Sequence, residues 1–86
     1  MEQHYLTNEQ IAAFASSLVR AERTPATIEK YLRSVRAFFL YLDGQPVTKD
    51  AVVAWKEHLQ SVGGYSPSTV NASMAAINDL FTFLSW

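Results

Sequence analysis

Lys30, Arg33 and Arg36 recur at three-residue spacing in a segment whose other positions include Ile28, Leu32, Val35, Phe38 and Phe39. At about 100° per residue, the three cations share the side opposite that apolar stripe. Cations so arranged neutralise phosphates, and Arg33 or Arg36 also has the fork geometry to pair with a guanine edge. From Arg20 to Arg36 the chain carries five cations against Glu22 and Glu29, a local +3, while the remainder sums to −4. A net charge of −1 therefore hides a basic side. A solvated helix face with ordinary i,i+4 ion pairs would show the same pattern, and the residues alone leave both readings open.

A second set of polar residues lies further along. Ser66-Pro67-Ser68-Thr69 reads as a helix start, where hydroxyls, backbone N–H groups and the positive dipole end suit a phosphate. Simple capping explains the same residues, and the two uses are compatible. Beyond it, Asn71, Ala75, Asn78 and Thr82 form a small, uncharged side, and Asn pairs bidentately with adenine. Chemistry of other kinds finds no footing. His4 and His58 stand alone, without a second ligand at metal spacing, so no metal site is expected. None of Tyr5, Tyr31, Tyr41 and Tyr65 has a basic cluster arranged to activate its phenol, so no catalytic residue is assigned. No cofactor is expected either. Trp55 falls on an apolar stripe and reads as core, not as a stacking platform.

The elements that must hold these groups are all helical. With 86 residues and 49% hydrophobic content, the chain suits one small domain, residues 1–86, able to bury a core. It has no cysteine, which fits a reducing compartment. No apolar run approaches the ~20 residues of a membrane span, and Met1-Glu2-Gln3-His4-Tyr5 lacks the features of a signal peptide. The expected location is the cytoplasm, with no membrane partner. Thr7-Asn8-Glu9-Gln10 forms a capping box with Leu6 and Ile11 as staple, predicting a helix over about 8–21. Thr24-Pro25-Ala26-Thr27 opens a second over 25–42, which Asp43-Gly44 and Pro46 stop. A third runs over 49–62 with Val52, Trp55, Leu59 and Val62 buried, ended by Gly63-Gly64. A fourth runs over 67–85 with Val70, Met74, Ile77, Phe81 and Leu84 inward and Leu80 at the stripe's edge. The expected core unites Ile28, Leu32, Val35, Phe39, Trp55, Leu59, Val70, Ile77 and Phe81 in a compact all-α four-helix bundle.

Five segments in fixed order carry a resemblance. They are Thr27-Ile28-Glu29-Lys30-Tyr31, Phe38-Phe39-Leu40-Tyr41-Leu42, Val47-Thr48-Lys49-Asp50-Ala51-Val52, Ser66-Pro67-Ser68-Thr69-Val70-Asn71, and the stretch from Met74 to Leu84. Together they resemble the N-terminal core-binding, SAM-like domain of tyrosine recombinases, the phage-integrase family, over roughly residues 7–86. Two departures stand out: Asn78 occupies a position that is often basic in that family, and the last helix has no Lys or Arg.

The resemblance implies a SAM-like bundle that clamps double-stranded recombination-site DNA, with the second and last helices toward the duplex. Thr27, Lys30, Arg33, Arg36, Ser66, Ser68, Thr69, Asn71 and Asn78 are then the expected DNA-binding residues. It implies that the nucleophilic tyrosine and its basic partners belong to a separate C-terminal catalytic domain of the same polypeptide, absent from this chain. That enzyme would break and rejoin strands through a 3′-phosphotyrosyl link in DNA integration or recombination. Other recombinase subunits are expected partners in a synaptic complex, and the isolated domain is expected to be a monomer. The competing expectation is a small helical protein-interaction module whose basic face is incidental.

Overall fold

The computed structural model describes residues 4–86; Met1, Glu2 and Gln3 lie outside the described residues. Four helices follow one another: α1 (Asn8–Arg20), α2 (Pro25–Leu42), α3 (Lys49–Ser61) and α4 (Pro67–Leu84). All four start where the capping residues place them. Thr7, Thr24, Thr48 and Ser66 each accept a hydrogen bond from a backbone N–H in the first turn, and Thr7 and Gln10 complete a reciprocal box. Three ends fall one residue short of the sequence expectation, because Ala21, Val62 and Ser85 serve as caps. The chain leaves α1 through Glu22 and α4 through Ser85, each in the left-handed region at φ 57° and 61°. In both, the next residue donates back to the last turn: Arg23 to the Leu18 carbonyl at 3.2 Å and Trp86 to the Phe81 carbonyl at 2.9 Å. These are Schellman closures made without glycine.

α4 packs against all three other helices, whereas α1 and α3 do not touch. α2 does so too, but α4 has the broader buried side. Val70, Ala76, Ile77 and Leu80 are each at most 1% exposed, so Leu80 lies at the centre of the interface and not at its edge. Ala76 leaves room for close approach. On α2 the deepest residues are Val35, Phe38 and Leu42. Ile28, Leu32 and Phe39, and Phe81 on α4, are half-buried around the core, which corrects the expectation that all four sit inside it. The stripe of α2 points between α1 and α4, so its centre falls on the i, i+3, i+7 set ending at Leu42, and its flank stays partly open. Val62 is 74% exposed, also against expectation, because α3 has already ended at Ser61.

Trp55 is core as expected, 4% exposed, with its ring against Phe38, Tyr41 and His58. Its indole N–H has no hydrogen-bond partner. Such an omission costs about 1–3 kcal/mol, and three ring contacts offset it. His4 and Trp86 meet over the start of α3. Val47 donates to the His4 carbonyl at 2.7 Å, and the His4 ring stacks on Trp86 at 4.6 Å. No helix among the described residues is long and apolar enough to cross a membrane.

Candidate nucleic-acid interface

The starts of α2 and α4 are built alike. In α2 the Thr24 hydroxyl accepts from the Thr27 N–H at 3.2 Å and donates to the Thr27 hydroxyl at 2.9 Å. In α4 the Ser66 hydroxyl accepts from the Thr69 N–H at 3.3 Å, and the two hydroxyls pair at 3.1 Å. Capping is therefore realised in both. Because Pro25 and Pro67 lack an N–H and the third residue's N–H is capped, each first turn keeps a single backbone donor, that of Ala26 or Ser68. The Thr27 hydroxyl accepts from Thr24 and so keeps its own proton to give. Each start thus offers a phosphate only a few donors, and most of the attraction must come from side-chain charge.

That charge stands on α2. Lys30, Arg33 and Arg36 are all exposed, and none is buried in the fold. Arg33 reaches back to Glu29 at 3.1 Å, one turn earlier, in an i,i+4 pair whose side chains are 76% and 72% exposed. It is the one ion pair among the described residues. A pair this exposed contributes at most about 0.5 kcal/mol and yields readily to a phosphate.

The α2–α4 packing brings part of the expected site together. Lys30 and Arg33 from α2 and Thr69 from α4 line one groove of about 310 Å³, with Tyr65 and Ser73 on the same walls. Arg36 lies outside it. With Arg33 and Arg23, Arg36 borders a second groove between α1 and α2, so Arg33 stands on the ridge shared by both. Asn71 is exposed on α4, and Asn78 lines a third groove beside the cap Thr48 and the α3 residues Lys49 and Val52. Ser66 and Ser68 are exposed at the α4 start. The nine residues named from sequence therefore do not form one cluster. Three share a groove, Arg36 adjoins it, and Asn78 faces the other way.

Tyr65 and Ser73 were not among the residues expected at the site. Tyr65, which directly precedes the α4 cap, is 53% exposed. Its ring lies over Gly63, where an added Cβ would meet ring carbons at 2.7 Å. Gly63 is thus required by the placement of Tyr65, whereas in the sequence Gly63-Gly64 marks only the end of a helix. Ser73 lies one turn after Thr69, a spacing that places both on one side of α4. No three of His, Cys, Asp and Glu gather into a metal-holding group among the described residues.

Comparison with known proteins adds one finding. The family model described as the N-terminal SAM-like domain of phage integrases matches residues 6–86. Neither the curated proteins nor the solved structures contain a match.

Proposed function

The chain belongs to the N-terminal SAM-like domain family of phage integrases, and on that premise we propose that it is a core-binding domain that holds recombination-site duplex DNA. The observation that carries this reading is the shared groove. Lys30 and Arg33 project from one hydroxyl-capped helix, Thr69 from the start of the other, and their walls converge on a single open surface. In this reading Lys30 and Arg33 neutralise phosphates, Thr69 and the Ser68 N–H take a further phosphate oxygen, and Tyr65 packs its ring against a sugar or base. Arg36 and Thr27 extend the contact along α2, and Asn71 supplies a base-edge contact where the duplex reaches α4, whereas Asn78, on the α3 side, takes no part. Strand cleavage and rejoining belong to a catalytic domain elsewhere in the intact recombinase. This domain contributes grip and register.

Few phosphate-neutralising groups make a weak binder. Roughly three to five phosphate contacts give a log–log salt slope of about −3 to −5. Removing a phosphate contact flattens that slope by about one unit, whereas removing a guanine contact relaxes preference at one base pair by about 1–3 kcal/mol. Fluorescence anisotropy with a labelled duplex, for the wild type, Lys30→Ala, Arg33→Ala and the α3 control Lys56→Ala, tests the assignment. The expected result is a flatter slope for the first two and none for the control. Equal slopes for all four proteins would overturn it. With a nicked recombination site the chain should leave no covalent adduct, and an adduct abolished by a Tyr→Phe change would relocate the chemistry into this domain.

A further inference from the structure

The groove shared by α2 and α4 has more to offer than a phosphate can use. Lys30, Arg33 and Thr69 stand on its walls, but so do the buried side chains of Leu59 and Val70 and the ring of Tyr65. No carboxylate lines it, and neither helix has an acid in its first turn. Glu29, the partner of Arg33, lines the neighbouring α1–α2 groove instead. Two further hydroxyls line the α2–α4 groove, from Ser34 on α2 and Ser73 on α4, both half-buried. Ser17, Ser61 and Thr82 return their protons to a carbonyl about one turn back in their own helices. Ser34 and Ser73 make no such bond, nor any other side-chain bond among the described residues. A duplex phosphate satisfies the two cations and Thr69 and leaves the rest unmatched, because stacked bases hide their faces from a ring. The group that matches every wall is a single unstacked nucleotide. It brings a phosphate for the cations, a π face for Tyr65, and donors and acceptors on its edge for the two serines. A volume of about 310 Å³ lies at the small end of ligand pockets and suits one such group, not a strand.

We propose that the α2–α4 groove is a seat for one nucleotide unstacked from a DNA strand. The seat rests on the DNA reading above and adds a preference to it. Lys30 and Arg33 hold the phosphate, Tyr65 stacks on the base, and Ser34 and Ser73 bond its edge above the apolar floor of Leu59 and Val70. The ring is held ready for this. The Tyr65 N–H donates to the Leu59 carbonyl at 3.4 Å, and the ring occupies space that a Cβ on Gly63 would enter at 2.7 Å. Little freedom is then lost when a base arrives, and Gly63 is the positioning residue. Extruding a base from an intact duplex costs free energy, least where its partner is missing. The domain therefore grips intact duplex through its cations alone and holds DNA with an unpaired nucleotide more tightly.

The test is fluorescence anisotropy with two labelled duplexes of equal length, one fully paired and one in which a single nucleotide faces an abasic site. Both carry the same number of phosphates, so charge alone does not separate them. The abasic-opposed duplex should bind about tenfold more tightly. Tyr65→Phe should keep that preference and Tyr65→Ala should abolish it; Tyr65 is exposed, so both variants keep the fold. Gly63→Ala, which moves the ring without altering it, should behave like Tyr65→Ala. Ser34→Ala and Ser73→Ala should each reduce the preference by about twofold to fivefold. Lys30→Ala should weaken both duplexes alike and leave their ratio unchanged. Equal affinities of the wild type for the two duplexes would overturn the seat, while a flatter salt slope in Lys30→Ala would still support the duplex reading. A preference that survives Tyr65→Ala would overturn it too, since it would then report only the easier bending of DNA at the lesion. Binding to neither duplex would overturn both readings. Amide shifts around the groove with an acidic aromatic peptide, and none with a short oligothymidylate, would assign it to a protein segment instead.

Discussion

α2 and α4 are the same helix in outline and different in use. Each has 18 residues, starts with a hydroxyl cap followed by Pro, pairs two hydroxyls across its first turn and meets a left-handed residue at its end. Inside, both pack against the other three helices, yet α2 buries a narrow stripe on Val35, Phe38 and Leu42, while α4 buries a broader side on Val70, Ala76, Ile77 and Leu80. Outside, α2 carries Lys30, Arg33 and Arg36, while α4 shows Asn71, Ala75, Asn78 and Thr82 and has Asp79 as its one charged residue. The shared start serves folding in both. Reach and charge come from α2, and close approach comes from α4, whose outer side chains are short. A domain with a net charge of −1 can thus present a basic side by gathering five of its seven cations between Arg20 and Arg36.

The comparison breaks most visibly in the core. Phe38→Ala should cost about 3–5 kcal/mol and Leu80→Ala about 2–5 kcal/mol in denaturant unfolding, with Phe39→Ala costing clearly less than Phe38→Ala. Equal losses at Phe38 and Phe39 would move the centre of the α2 stripe. The caps come next. Thr24→Ala and Ser66→Ala should each cost about 0.5–2 kcal/mol, and by similar amounts, because their geometry is the same. A large inequality would show that one hydroxyl does more than cap.

The helix ends should respond in the opposite direction. Ser85→Gly should raise the melting temperature, since a left-handed backbone costs a non-glycine residue about 1–2 kcal/mol. Asp43→Gly should gain less, because Asp tolerates that region. Smallest of all, Lys30→Ala and Arg33→Ala should change stability by no more than about 0.5 kcal/mol, even though Arg33 leaves its Glu29 partner. A larger loss would make these cations structural.

Helix starts and their stripes were legible from sequence because capping and periodicity are local: Thr7, Thr24, Thr48 and Ser66 each cap where expected. What the sequence missed depends on neighbours. Leu80 reads as peripheral on an isolated helix and becomes central once α4 packs against its neighbours, while Val62 reads as core until the helix stops one residue before it. The candidate site shows the same division. Which side of α2 bears cations follows from spacing, but that Lys30 and Arg33 share walls with Thr69, while Asn78 turns toward α3, depends on how α2 and α4 cross. Tyr65 was hidden for a related reason: its position is set by the space above Gly63.

The central claim is that the cations of α2 and the start of α4 form one DNA-facing surface. An amide NMR titration with a short cognate duplex tests it most directly. The account predicts shifts concentrated on Thr27–Arg36 and Tyr65–Ser73, lost together in Lys30→Ala, Arg33→Ala double-variant protein that keeps the wild-type fold. Shifts confined to α1 and α3, or centred on Asn78 and Lys49 with none at Lys30 and Arg33, would contradict it.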